Sequence, residues 1–130
     1  MKKAPRSSLP GILSALAIAF VACGDNRSLQ SVSISPAVAS SKAQFTATGI
    51  YNKMPTSVDI TTTATWCVGS SSGICAGNIM VGATVSSGVA QCVTGFTGNV
   101  TILAGQSGPM ANPDTGVPLK PFGAAQLNCP

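Results

Sequence analysis

The chain predicts an all-β fold, a β-sandwich of about seven short strands behind an N-terminal export segment. Three observations predict it. Apolar and polar residues alternate with a period of two in one short run after another. Gly, Ser, Asn and Pro break those runs at short intervals, and a charged then apolar N-terminal stretch stands apart from everything that follows. A strand with one buried face reads as such an alternation. Strands recurring this closely, with turn residues between them, suit a sandwich better than strand–helix units.

The first run, "SVSISP", sets Val32 and Ile34 on one face and serines on the other, and ends at Pro36 as an edge strand can. "AQFTATGIY" carries Ala43, Phe45, Ala47 and Tyr51 in one phase, with Thr46 and Thr48 opposite. "VDITTTATWCV" puts Val58, Ile60, Ala64 and Trp66 in phase, which marks Trp66 as a core residue. "IMVGATVSSGVAQCV" reads as two strands about a turn at Ser86, Ser87 and Gly88, and "NVTILAG" alternates Val100, Ile102 and Ala104. The last segment, Gln106 to Pro130, starts with four prolines in an irregular stretch and ends in a strand-like "GAAQLNC". It is expected as a C-terminal extension over 106–130, an extra edge strand if Cys129 is paired and a loose tail if not.

Ahead of these runs, Lys2, Lys3 and Arg6 precede a Pro10-Gly11 break and an apolar run of 11 residues, Ile12 to Ala22, interrupted only by Ser14. Charge, apolar run and small terminal residues match a secretory signal, and the run is shorter than the ~20 residues of a membrane-spanning helix. The residues "FVACG", Phe20 to Gly24, resemble the lipobox of bacterial lipoproteins, with Ala22 and Gly24 in the pattern and Phe20 where leucine is usual. That resemblance implies a signal peptide over 1–22, cleavage before Cys23, and a diacylglyceryl group on the Cys23 thiol with acylation of the new amino terminus. Membrane lipid would then be a partner through Cys23, and the protein would be exported and anchored to the cell envelope. In a host with two membranes, Gly24 in the place where aspartate favours inner-membrane retention implies the outer membrane. The alternative is ordinary cleavage after Ala17–Ala19, which leaves a soluble chain with a spare thiol.

Cysteine arithmetic points the same way. Of five cysteines, Cys23 would be consumed by lipid, and Cys67, Cys75, Cys92 and Cys129 remain as an even set in an oxidising compartment. Removing residues 1–22 also removes three of the seven cations. Arg27, Lys42, Lys53 and Lys120 then stand against Asp25, Asp59 and Asp114, a net charge of +1. Four scattered cations make no basic stripe, so nucleic acid is not an expected partner. The 108 residues that remain suffice for one domain with its own core. Residues 23–29, "CGDNRSL", read as a short polar tether.

From "LQSVSISP" through "QFTATGIY", "DITTTATW" and "GATVSSGVA" to "GFTGNVTILAG", the ordered set of runs resembles the bacterial immunoglobulin-like domain, group 2. The resemblance covers about Leu29 to Gly105. It implies an immunoglobulin-like Greek-key sandwich over 30–105 of the kind used in envelope and adhesion proteins. The tandem repetition usual in that family is absent from this chain. Its cysteines also depart from the family pattern. Alternation turns Cys67 away from the face of Trp66, unlike the buried bridge of antibody domains. Four cysteines allow three pairings that sequence does not decide between. The expected pairing is Cys67 with Cys75, closing "CVGSSSGIC", and Cys92 with Cys129, pinning the tail.

Catalysis is not expected. The chain has no histidine and no glutamate, and its three aspartates are far apart in sequence. A Ser-His-Asp triad cannot be built from it. "GSSSG", Gly69 to Gly73, has the form of a nucleophile elbow about Ser71, but it sits between two cysteines in a short loop. "PDTG", Pro113 to Gly116, holds an aspartic-protease triplet without a second copy and reads as a turn. No Cys-x-x-Cys pair supports a metal, and no cofactor motif is present. Tyr51, Phe96 and Phe122 are the aromatics expected to be exposed for binding. Two functions are compatible with these residues: a module whose loops or strand edge bind an envelope protein or a glycan, and a passive structural spacer. An exposed apolar patch or a long unpaired edge favours the first. A Ser/Thr-covered surface with blunted edges favours the second.

Overall fold

The computed structural model describes residues 26–76, 82–107 and 116–130. The expected signal over 1–22, Cys23, and most of the Pro-Asp-Thr-Gly stretch lie outside the described residues. Within them the chain forms eleven strands: β1 (Leu29–Ser35), β2 (Val38–Ser40), β3 (Lys42–Gln44), β4 (Thr46–Tyr51), β5 (Ser57–Asp59), β6 (Thr65–Val68), β7 (Ile74–Cys75), β8 (Ala83–Ser86), β9 (Val89–Cys92), β10 (Gly98–Ser107) and β11 (Val117–Cys129). Three sheets make two layers. The sheets β1-β4-β5 and β3-β9-β8 lie side by side, joined through the β3–β4 run, and face the sheet β2-β11-β10-β6, with β7 added to β11. The all-β sandwich expected from the alternating runs is the fold, with more strands among the described residues than the seven anticipated.

The alternation does what its period requires. In β1, Val32 is buried while Ser31, Ser33 and Ser35 are exposed. Val100 and Ile102 of β10 meet Phe45 of the β3–β4 run, Ala83, Ala90 and Leu127 in the main core. Val32, Ala47 and Ile60 meet Ala104 in a second cluster, and Trp66 packs against both. The hairpin between β8 and β9 turns at Ser87 (φ 46°) and Gly88 (φ 87°). Two consecutive left-handed residues give the turn twist that matches paired strands, and a Ser-Gly pair adopts it at low cost.

Two runs differ from their expected form. "AQFTATGIY" is one line of chain but two strands, because its neighbours change at Phe45: β3 pairs with β9, while β4 pairs with β1 and β5. "VDITTTATWCV" is broken by a turn in which the Asp59 carboxylate accepts from Thr61 N–H (2.9 Å) and Thr61 Oγ1–H (2.6 Å). Ala64 N–H then donates to the Ile60 carbonyl at 2.8 Å, so β5 and β6 leave for different layers.

The C-terminal segment requires the largest correction. It is neither a loose tail nor an edge strand, and the sandwich does not end at Gly105. β11 runs antiparallel to β10 over most of its length and takes β2 parallel on its other side at Gln126–Asn128. Pairing on both sides makes it interior. Pro121 is accommodated because the register against β10 shifts between Gly105 and Ser107, at Lys120–Pro121, where no ladder donor is needed. The tether expected over 23–29 is likewise shorter, since Leu29 already belongs to β1.

Candidate functional site

β10 runs from Gly98, opposite Cys129, to Gly105, opposite Phe122, about 24 Å at strand rise. It therefore defines two poles. The near pole gathers the entering chain, the end of β4 and the turn before β6. The far pole gathers the end of β11, the end of β9 and the turn after β2.

At the near pole, Leu29, Tyr51, Ile60, the Thr63–Thr65 turn and Gly105–Ser107 line an open groove of about 350 Å³. The residues next to Leu29 and Tyr51 form a polar clasp. Ser28 N–H donates to Asn52 Oδ1 at 2.8 Å, and Asn52 N–H donates back to the Ser28 carbonyl at 3.1 Å. The Arg27 guanidinium lies 4.3 Å over the Tyr51 ring, and its Nη2 donates to the Pro55 carbonyl at 2.7 Å. Arg27 Nε is buried there without a partner. The entering chain is thus tied to the β4–β5 loop, which carries Lys53 and Met54, the latter 80% exposed. A strand-end asparagine and an arginine two residues ahead of a strand carry no sequence signal for this pairing, which needs β1 and β4 to be neighbours first.

The far pole is closed covalently. Cys92 and Cys129 are bridged, with Cα atoms 5.8 Å apart. Around the bridge Ser41 N–H donates to the Asn128 carbonyl, Cys92 N–H to Ser41 and Val93 N–H to Gly82, all at 2.8 to 2.9 Å. The second bridge, Cys67–Cys75, closes a loop eight residues apart on the outer face of the β2-β11-β10-β6 sheet. There Cys75 packs with Leu103 and Leu119, and with half-buried Cys67, Val117 and Phe122, in a small cluster outside the main core. Both pairings are those expected. Cys67 indeed points away from the face of Trp66, whose indole N–H donates to the Thr61 carbonyl at 2.8 Å.

The loop inside that bridge is a turn. Gly73 N–H donates to the Ser70 carbonyl at 3.0 Å, the Ser70 and Ser72 hydroxyls are 2.7 Å apart, and Gly73 takes φ 87° against the Phe122 ring. Among the described residues no side chain is hydrogen-bonded to Ser71. The carboxylate of Asp59 is held below its ordinary pKa by the Thr61 side-chain and backbone hydrogen bonds, so it is the ionised cap of a turn. Asp25 and Asp114 lie outside the described residues. Among the described residues no three of His, Cys, Asp or Glu cluster as metal ligands, and no helix is long and apolar enough to cross a membrane.

The three aromatics expected to be exposed are not. Tyr51 is half-buried against the second core cluster, Phe96 against the main one and Phe122 against the cluster under the Cys67–Cys75 bridge. Each packs through a pairing distant in sequence, which local alternation cannot reveal. A scan against protein-family models and a search of curated proteins find no match to this chain.

Proposed function

We propose that this protein is a non-catalytic, lipid-anchored cell-envelope module that presents one immunoglobulin-like domain to a protein or glycan partner. The observation that carries the reading is the cysteine count: four are paired within the domain, and Cys23, directly after the apolar segment, is the fifth. A thiol left over at the end of an export signal is what lipoprotein processing consumes. The immunoglobulin-like part is supported by strand order. Taking β1 as A, β3–β4 as B, β9 as E and β8 as D in one layer, and β6, β10 and β11 as C, F and G in the other, with β5 added beside β4, gives an order in keeping with this sandwich class. Localisation in the envelope, at the outer membrane in a two-membrane host, follows from the lipobox resemblance.

Because the chain enters at the near pole, an anchor at Cys23 directs the far pole away from the bilayer. Its exposed turn residues, Thr94 among them, and exposed Val38 on β2 are then the surface on display. A second reading, a passive spacer, is favoured by short sheet edges at β5 and β8 and by the exposed hydroxyls of Ser31, Ser33, Thr46, Thr84 and Ser86. Photocrosslinking from positions 38 and 94 in intact cells separates the two. A discrete adduct that a near-pole crosslinker does not give supports presentation; no discrete adduct from either pole supports the spacer.

A further inference from the structure

The clasp at the near pole leaves little chain between the anchor and the domain. Arg27 and Ser28 are fixed to Pro55 and Asn52. Four residue steps separate Cys23 from Arg27, a reach of at most about 14 Å. A headgroup layer is about 5 to 7 Å thick on each side of the hydrocarbon core. An acylated Cys23 therefore keeps Arg27 and the β4–β5 loop tied to it within reach of the headgroups. That loop carries the most exposed large apolar side chain among the described residues, Met54 at 80%, next to exposed Lys53 and beside the Arg27 guanidinium. Asp59, at the far end of β5, has its carboxylate turned onto Thr61.

We infer that the Asn52–Pro55 loop is a second membrane contact, in which Met54 enters the headgroup layer of the leaflet that holds the acyl chains while Lys53 and Arg27 face lipid phosphates. The inference rests on lipidation at Cys23. At a bilayer surface the unbranched thioether of Met54 leaves water, and adjacent Lys53, with Arg27 bonded to the neighbouring Pro55 carbonyl, brings positive charge toward lipid phosphates. The consequence is orientation. One lipid anchor alone leaves a domain free to tumble, whereas an anchor with a second contact beside it holds the sandwich upright with its far pole outward.

The test uses the mature acylated chain, its acylation read first by intact mass, in vesicles of phosphatidylethanolamine and phosphatidylglycerol containing a headgroup spin-labelled lipid. An environment-sensitive fluorophore is attached to Met54→Cys, or to Val38→Cys as the far-side control. Both positions are exposed, so neither substitution disturbs the core. The expected result is several-fold stronger quenching and a blue shift at position 54, with position 38 unchanged from its value in detergent. Adding K53Q, which removes one cation, to Met54→Cys is expected to lower the population in contact by about fivefold. Equal quenching at 54 and 38 on acylated protein overturns the contact and leaves the anchor standing. An unacylated chain overturns the anchor and the contact together.

Discussion

The two poles of the sandwich are closed by different means. At the far pole a disulfide joins β9 to the end of β11, and the backbone around it is hydrogen-bonded in a continuous set from Ser41 through Asn128 and Cys92. At the near pole the closure is polar and local: a reciprocal Ser28–Asn52 pair, and one guanidinium shared between a ring and a carbonyl. The covalent pole is restrained even when the chain is unfolded, and it holds its turns in one arrangement. The polar pole depends on exposed groups that water competes for, so it opens and adapts more readily. A rigid end that meets a partner and an adaptable end that meets lipid are what the proposed orientation calls for.

The comparison breaks first if the far-pole bridge contributes little. Replacing both Cys92 and Cys129 by alanine frees a loop spanning 37 residues, and chain entropy sets the loss at about 4 kcal/mol. Denaturant unfolding should show the midpoint falling accordingly, and a loss below that of the other bridge would contradict the contrast. The Cys67–Cys75 pair closes only eight residues, for about 2.5 kcal/mol by the same relation. Its removal should bare Leu103 and Leu119 on the outer face, read as dye binding to apolar surface with the main core intact.

At the near pole, R27A removes the ring contact and one hydrogen bond, about 1 kcal/mol. Amide exchange is the sharper measure: Ser28 and Asn52 should exchange faster in R27A, with Ser41 and Cys92 unchanged. Acceleration at both poles would mean that they are not independent. The smallest effect belongs to Asp59. Its folded pKa lies below the unfolded one, so its contribution is present above the unfolded value and is lost as pH falls through the folded value. Melting followed below about pH 4 should decline less steeply in D59N than in the parent chain.

Much of this architecture is legible in the sequence wherever one strand's own alternation decides it. Val32, Ala47, Val100 and Ile102 are buried as their phase requires, the Ser87–Gly88 turn announces its hairpin, and Cys67 faces opposite Trp66 by parity alone. What local pattern does not carry is choice of neighbour. Nothing in "AQFTATGIY" says that its partner changes at Phe45, and the prolines of the last segment conceal an interior strand, because β10 and β2 supply the pairing that makes it one. The near-pole clasp is hidden for the same reason. Arg27, Asn52 and Pro55 become a unit only after β1 and β4 pair, and Met54 becomes notable only when its exposure is known.

The proposed anchor requires Cys23 to be the one cysteine spent on lipid. The most direct test is the intact mass of the protein extracted from membranes, before and after reduction. The predicted result is a chain that begins at Cys23, carries added acyl mass, and gains four protons when its two bridges are reduced. An unacylated chain that begins at Phe20, or one whose gain on reduction is not four, would contradict it.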